Sequence, residues 1–201
     1  MLIVGITGSL STGKSTASSL FARKGAKVLD ADRIAHKLME PRKACFRKVV
    51  KAFGPSILKG GHIDRQKIAK VVFEDKRKLR ALEQIIHPAV AQEIKREIRR
   101  YQKSKQRGVL IIEVPLLFEA GLDRLMDVVV VVKASRTQQI ARARERSGIS
   151  QQEALRRIKA QMPLNQKIQR ADIIIDNGGS PFKTKKQVDR IWLKLSQRIK
   201  K

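Results

Sequence analysis

The sequence predicts an α/β fold, a five-stranded parallel sheet flanked by helices, with a helical insertion after the second strand. Apolar runs at residues 2–7, 27–29, 109–114, 127–132 and 172–175 alternate with helical stretches, and runs apolar on both faces suit strands covered by helices. Strands alternating with helices imply right-handed parallel crossovers and a doubly wound sheet. Residues 33–106 carry no strand signal, so this block forms a separate, mainly helical lobe.

The first strand, residues 2–7, runs into a glycine loop and then into a helix from about Thr16 to Lys24. A second strand ends in Asp30-Ala31-Asp32, after which residues 33–53 read as helical, with apolar Ile34, Leu38, Val49 and Phe53. Gly54-Pro55 and Gly60-Gly61 mark a loop. From Asp64 to about Tyr101 the period is helical again, with a break expected at His87-Pro88 because proline disfavours a helical residue before it. After the third and fourth strands, residues 135–161 read as helix, turn, helix with the turn at Ser147-Gly148. The last strand is followed by a helix over residues 183–200.

The segment Gly8-Ser9-Leu10-Ser11-Thr12-Gly13-Lys14-Ser15 fits G-x-x-x-x-G-K-[ST] completely, between a predicted strand and a predicted helix. The glycines let successive N–H groups face one concavity, and the helix beginning near Gly13 adds its positive dipole end. The pattern therefore predicts a nucleotide phosphate site made by Gly8, Ser11, Thr12, Gly13, Lys14, Ser15 and Thr16. In it Lys14 neutralises the β and γ phosphates, Ser15 ligates Mg²⁺ and Thr16 reaches toward the α-phosphate. A glycine-rich turn that matches by chance is the alternative.

What happens to the terminal phosphoryl group depends on other residues. No N-K-x-D guanine motif is present, and the chain has no room for the coupling domains of helicases or transporters. A small kinase remains. Asp30 and Asp32 lie just past the second strand, the edge where open α/β sheets bind ligands. Asp32 is the candidate carboxylate to accept the proton of an acceptor hydroxyl, although either Asp could cap a helix starting at Arg33. Glu113 lies within a buried apolar strand and reads as a second acid beside the metal, or as the partner of a nearby base. Arg142, Arg144, Arg146, Arg156 and Arg157 crowd the helix-turn-helix, which reads as a lid closing over ATP. The three histidines are scattered and Cys45 is the single cysteine, so no disulfide or zinc set is expected, and Mg²⁺ bound with ATP is the only metal implied.

The chain carries 45 Lys plus Arg against 18 Asp plus Glu, a formal net charge of +27. Such a field attracts anions of any kind, whether nucleic acid, an acidic membrane or phosphorylated small molecules. Residues 95–107 hold seven cations and one acid, and residues 183–201 hold eight and one. Both runs read either as solvated helix faces or as a nucleic-acid patch, and one Trp, one Tyr and six Phe offer them no stacking platform. No apolar stretch is long enough for a membrane span and the start lacks a cationic signal, so a cytoplasmic protein is expected.

Taken together, these residues resemble the dephospho-coenzyme A kinases over nearly the whole chain. The resemblance rests on I-x-G-I-T-G with Gly13-Lys14-Ser15-Thr16, V-L-D-A-D (Val28 to Asp32), Phe53-Gly54, and Ile63-Asp64-Arg65. It continues through His87-Pro88, V-P-L-L-F-E (Val114 to Glu119), R-I-x-x-Q (Arg157 to Gln161) and A-D-x-x-I-D-N (Ala171 to Asn177). It implies a P-loop kinase that phosphorylates the ribose 3′-hydroxyl of dephospho-coenzyme A with ATP. Residues 1–32 and 107–201 would then form the core, with a lid at about 143–165, and residues 33–106 the coenzyme A lobe. By the same resemblance Asp32 is the catalytic carboxylate, aided by Lys14 and by Arg142 as a lid residue near the phosphates. Arg65, His87, Pro115 and Leu116 join Asp32 in acceptor binding, and Asn177 packs the adenine. The implied partners are ATP and dephospho-coenzyme A, for a monomer or small homo-oligomer with no dedicated nucleic-acid or membrane partner. Two other readings stand beside it: a kinase of nucleoside monophosphates, and an RNA-associated ATP-binding protein. The loop departs from the usual G-G-I-G-S-G-K-S-T of the family by losing two glycines, and Gly60 stands where an acid is usual.

Overall fold

The computed structural model describes residues 1–104 and 108–200. The end of the first basic run, the last residue of the second, and the lobe boundary expected at 106/107 lie outside the described residues. In chain order the elements are β1 (Leu2–Gly8), α1 (Lys14–Ala22), β2 (Lys27–Asp30), α2 (Ala31–Leu38), α3 (Ala44–Phe53), β3 (Leu58–Lys59), β4 (His62–Ile63), α4 (Arg65–Glu74), α5 (Lys76–Lys103), β5 (Val109–Glu113), β6 (Val128–Lys133), α6 (Arg136–Ser147), α7 (Gln151–Lys159), α8 (Leu164–Gln169), β7 (Ile173–Asp176) and α9 (Pro181–Lys200). Cα packing divides the chain into two compact units, Met1–Asp30 with Ile98–Lys201, and Ala31–Glu97.

In the first unit five parallel strands lie in the order β2-β5-β1-β6-β7. Every residue of β1 is buried, as its central place requires. Val4, Ile6, Ile111, Val130 and Val132 pack with Phe21 of α1 and with Val188, Ile191 and Leu195 of α9. Asp127 and Asp172, expected as the first residues of their strands, stand one residue before them. Their carboxylates accept the Ile3 and Val129 N–H groups at 2.7 Å, supplying acceptors where the staggered parallel strands run out of partners. The register sets Glu113 opposite both Ile6 and Asp30, and Gly8 opposite Val132. The glycine loop, Asp30 and Glu113 therefore share the carboxyl edge of one sheet.

The second unit has its own small core of Val49, Ile57, Ile68 and Val72, with Leu79, Leu82 and Ile85 packed against it. Three sequence expectations need correction here. The helix expected over 33–53 is two helices, because Pro41 cannot donate within a helix and Arg42 takes φ 71°. The block does contain strand: β3 and β4 pair antiparallel, Leu58 with Ile63 and Lys59 with His62. Gly60 and Gly61, both at positive φ, make the two-residue turn that such a hairpin demands. Helix α5 runs unbroken through Pro88. The lost hydrogen bond and ring clash cost about 3 kcal/mol in a helix interior. Core packing of Leu79, Leu82 and Ile85 before the proline, and burial of Val90, Ile94 and Ile98 after it, hold the helical path. Among the described residues no helix is long and apolar enough to cross a membrane.

Candidate active site

The loop between β1 and α1 is built on its own backbone. The Ser9 carbonyl accepts the Thr12 hydroxyl at 3.1 Å and the Lys14 ammonium at 2.9 Å, which folds the lysine back over the loop. Gly13 precedes α1 at φ 95°, ψ 29°, and the N–H groups of the first helical turn point out of the loop. A Cβ on Gly8 would lie 2.4 Å from the Val132 carbonyl oxygen, so the chain leaves the sheet by a route open to glycine. Ser11 takes φ 51° at a position where the family loop carries glycine, a left-handed conformation costing about 1–2 kcal/mol in a non-glycine residue.

Asn177, one residue past β7, clamps this loop. Its Nδ2 donates to the Thr12 carbonyl at 2.9 Å, and its Oδ1 accepts the Thr184 hydroxyl at 2.8 Å. Its N–H donates to the Lys133 carbonyl at 2.8 Å, and its own carbonyl accepts Arg142 Nη2 at 2.9 Å. The side chain is buried and its amide is committed to protein groups of the loop and of α9. Arg142 Nη1 is buried without a protein partner, a guanidinium donor suited to an anionic oxygen.

Asp30 ends β2, and α2 begins at the next residue. Asp32 is therefore the second residue of a helix already formed, exposed, and not the cap of one starting at Arg33. Ser15, exposed in the first turn of α1, and Glu113, at the end of β5, supply hydroxyl and carboxylate oxygens. Such a donor set fits Mg²⁺, which keeps several waters and takes one or two protein oxygens alongside nucleotide phosphates.

The helix-turn-helix expected around Ser147-Gly148 is α6 and α7. Ser135 opens α6 with a capping box to Gln138, Gly148 closes it at φ 63°, and Ser150 caps α7. Behind it lies a node that sequence reasoning missed. Lys167 of α8 is fully buried, its ammonium donating to the Pro115 carbonyl at 2.7 Å and pairing with Glu119 at 2.9 Å. Pro115 also accepts the Thr7 hydroxyl at 3.1 Å, and Glu119 accepts the Met162 N–H at 2.9 Å. The turn holding Pro115 and Leu116 is thus fixed to β1 and to the chain leaving α7.

Burial pushes the Lys167 ammonium below its ordinary value of 10.5, with Glu119 pulling it partly back. Between the lowered value and 10.5 the unfolded chain holds more protons, so this group's contribution to stability rises with pH across that window. In Lys167→Met that rise should vanish: the melting-temperature gap between wild type and variant should shift in favour of wild type from pH 7 to pH 10. A gap independent of pH would contradict the assignment.

A cleft of about 780 Å³ opens at the carboxyl ends of β6 and β7, lined among others by Lys133, Ser135, Gln138, Asp176, Gly178 and Lys183. Gln138 donates to the Gly178 carbonyl at 2.7 Å, closing its floor. The Lys133 ammonium at 2.9 Å and the Gly178 N–H hold the Asp176 carboxyl below the usual carboxylate range. Sequence reading named only Asn177 here; the signal was the polar density after a buried strand. In the second unit, Arg65 opens α4 behind Asp64, which caps Gln66 and Lys67, and His87 borders a shallow cavity of about 310 Å³ with Arg80, Glu83 and Gln84.

A family model described as dephospho-CoA kinase matches residues 2–182. A dephospho-CoA kinase of Symbiobacterium thermophilum is 46% identical over 96% of this chain and 80% of its own length. Among solved structures, a Thermus thermophilus protein superposes with a TM-score of 0.80 at 32% identity, covering 96% of this chain and 97% of its own. The dephospho-CoA kinase of Campylobacter jejuni gives 0.71 at 27%, covering 97% of both chains.

Proposed function

Because the chain belongs to the dephospho-CoA kinase family, we propose that it transfers the γ-phosphoryl group of ATP to the ribose 3′-hydroxyl of dephospho-coenzyme A. The observation that carries the donor half is the chain of contacts from Thr12 through Asn177 to Arg142. It fixes the phosphate loop and leaves a buried guanidinium donor beside it. The loop amides from Gly8 to Thr16 and the Lys14 ammonium take the β and γ phosphates, and the cleft flanking Asn177 takes the nucleoside. Ser15 and Glu113 would hold Mg²⁺, which when bound neutralises charge on the β and γ oxygens. Asp32 accepts the proton as the 3′-oxygen bonds to the γ-phosphorus and the bond to the β-phosphate oxygen breaks, releasing ADP. Lys14 and Arg142 stabilise the charge that spreads over the transferring group. Residues 33–106, with Arg65 and His87, bind the acceptor together with Pro115 and Leu116, and residues 143–165 close as the lid. The reaction belongs to the cytoplasm, in a monomer or small homo-oligomer.

ADP release with Mg-ATP should be measured against dephospho-coenzyme A, adenosine, AMP, CMP and buffer alone. Release above buffer is expected with dephospho-coenzyme A only. Preferred turnover of AMP or CMP would overturn the acceptor assignment.

A further inference from the structure

Phosphoryl transfer leaves most of the +27 charge unused, and α9 organises part of it into a row. One face of α9 is consumed by the core, through Val188, Ile191 and Leu195. Lys186, Arg190, Lys194 and Arg198, a row that starts opposite this face and winds toward it, are all exposed. Spaced by four residues, they fall within an arc of about 120° and step about 6 Å apart along the axis, a ladder roughly 18 Å long. The single acid of the helix, Asp189, lies off this row and pairs with Lys24 and Lys185. Among the described residues none of the four cations is in an ion pair; α5 carries a shorter exposed row of the same spacing, Lys95, Arg99 and Lys103, beside an Arg96 paired with Glu93 at 2.7 Å.

The row limits what it can bind. A helix that lies on a membrane buries its apolar face in lipid, and here that face is already inside the protein. Phe182 and Leu193, 62% and 63% exposed, are the large apolar side chains α9 offers to solvent, and the Lys186 ammonium lies 4.6 Å from the Phe182 ring. Aromatic residues that would stack single-stranded bases are absent from the row: Trp192 packs on Phe21, with ring centroids 6.4 Å apart. What remains is a regular ladder of cations without ion pairs, winding about 120° round the helix and complementary to the regularly spaced phosphates of a curving backbone. We propose that α9 docks, without sequence preference, on the phosphate backbone of double-helical nucleic acid through Lys186, Arg190, Lys194 and Arg198.

The test is fluorescence anisotropy of the full chain with a mixed-sequence DNA duplex, titrated across a salt series. Each phosphate contact contributes roughly −0.9 to the slope of log K against log salt. The quadruple variant Lys186→Gln, Arg190→Gln, Lys194→Gln, Arg198→Gln should therefore lose about 3 to 4 from the steepness of the slope. Its melting temperature should match wild type. A control variant on α5, Lys95→Gln, Arg99→Gln, Lys103→Gln, should lose less than about 1. An unchanged slope in the α9 variant, or equal losses in both, would overturn the proposal and assign the binding to diffuse charge. So would an α9 variant that keeps duplex binding but loses binding to phosphatidylserine vesicles.

Discussion

In Asp32→Asn, kcat should fall by roughly 10²–10⁴-fold, the range a positioned general base contributes, while the affinity for Mg-ATP stays within a fewfold of wild type. Asparagine keeps the shape of the carboxylate and loses its charge and its capacity to take a proton. The expected split follows from where the residue stands. Asp32 belongs to the first turn of α2, directly after β2, whereas the loop that grips the phosphates is built by β1, α1 and Asn177. A carboxylate in a first helical turn contributes about 0.3–1 kcal/mol through the helix dipole. A small drop in melting temperature is therefore expected, and it is too small to account for the rate. Near-full activity in the variant would remove Asp32 from the proton transfer.

Gly13→Ala should be the most damaging single methyl in the phosphate loop. The added Cβ would lie 1.9 Å from Asn177 Nδ2, at a backbone φ of +95°. Relief requires expelling the amide, with loss of its bonds to Thr12 and Thr184, each worth about 1 kcal/mol. Left-handed strain adds about 1–2 kcal/mol. A total near 3 kcal/mol lowers the melting temperature of a chain this long by roughly 6–12 °C. The KM for ATP should rise at least about tenfold, since a 1.4 kcal/mol loss of loop order suffices for that. A double-mutant cycle with Asn177→Ala isolates the cause: removing the amide removes the clash, so the two losses should be less than additive by about 1 kcal/mol or more. Strict additivity would show that the two residues do not meet.

The sheet was legible because its central strands β5, β1 and β6 are nearly continuous buried apolar runs, and the phosphate loop because its chemistry is confined to eight adjacent residues. The turn between α6 and α7 was legible for the same local reason, with Gly148 as the left-handed end of α6. Asn177 was legible only by resemblance, and its role was not, since its side chain meets Thr12 at a separation of 165 residues. No spacing rule reaches that far. Lys167 gave no signal because α8 has six residues, too few to show a period, and its burial depends on Glu119 and Pro115 of a distant turn. The β3-β4 hairpin escaped notice because strands of two residues cannot alternate; Gly60-Gly61 was the usable signal. Pro88 misled because a local rule about helix ends was outweighed by packing on both sides of it.

The central claim, phosphoryl transfer to one oxygen of one acceptor, is tested most directly by the structure of the product. Purified protein should be incubated with Mg-ATP and dephospho-coenzyme A, and the product examined by mass spectrometry and phosphorus NMR. The account predicts the gain of one phosphoryl group, coupled to the proton on the ribose 3′-carbon. A phosphate on any other oxygen, or ADP formed with the acceptor unchanged, would contradict it.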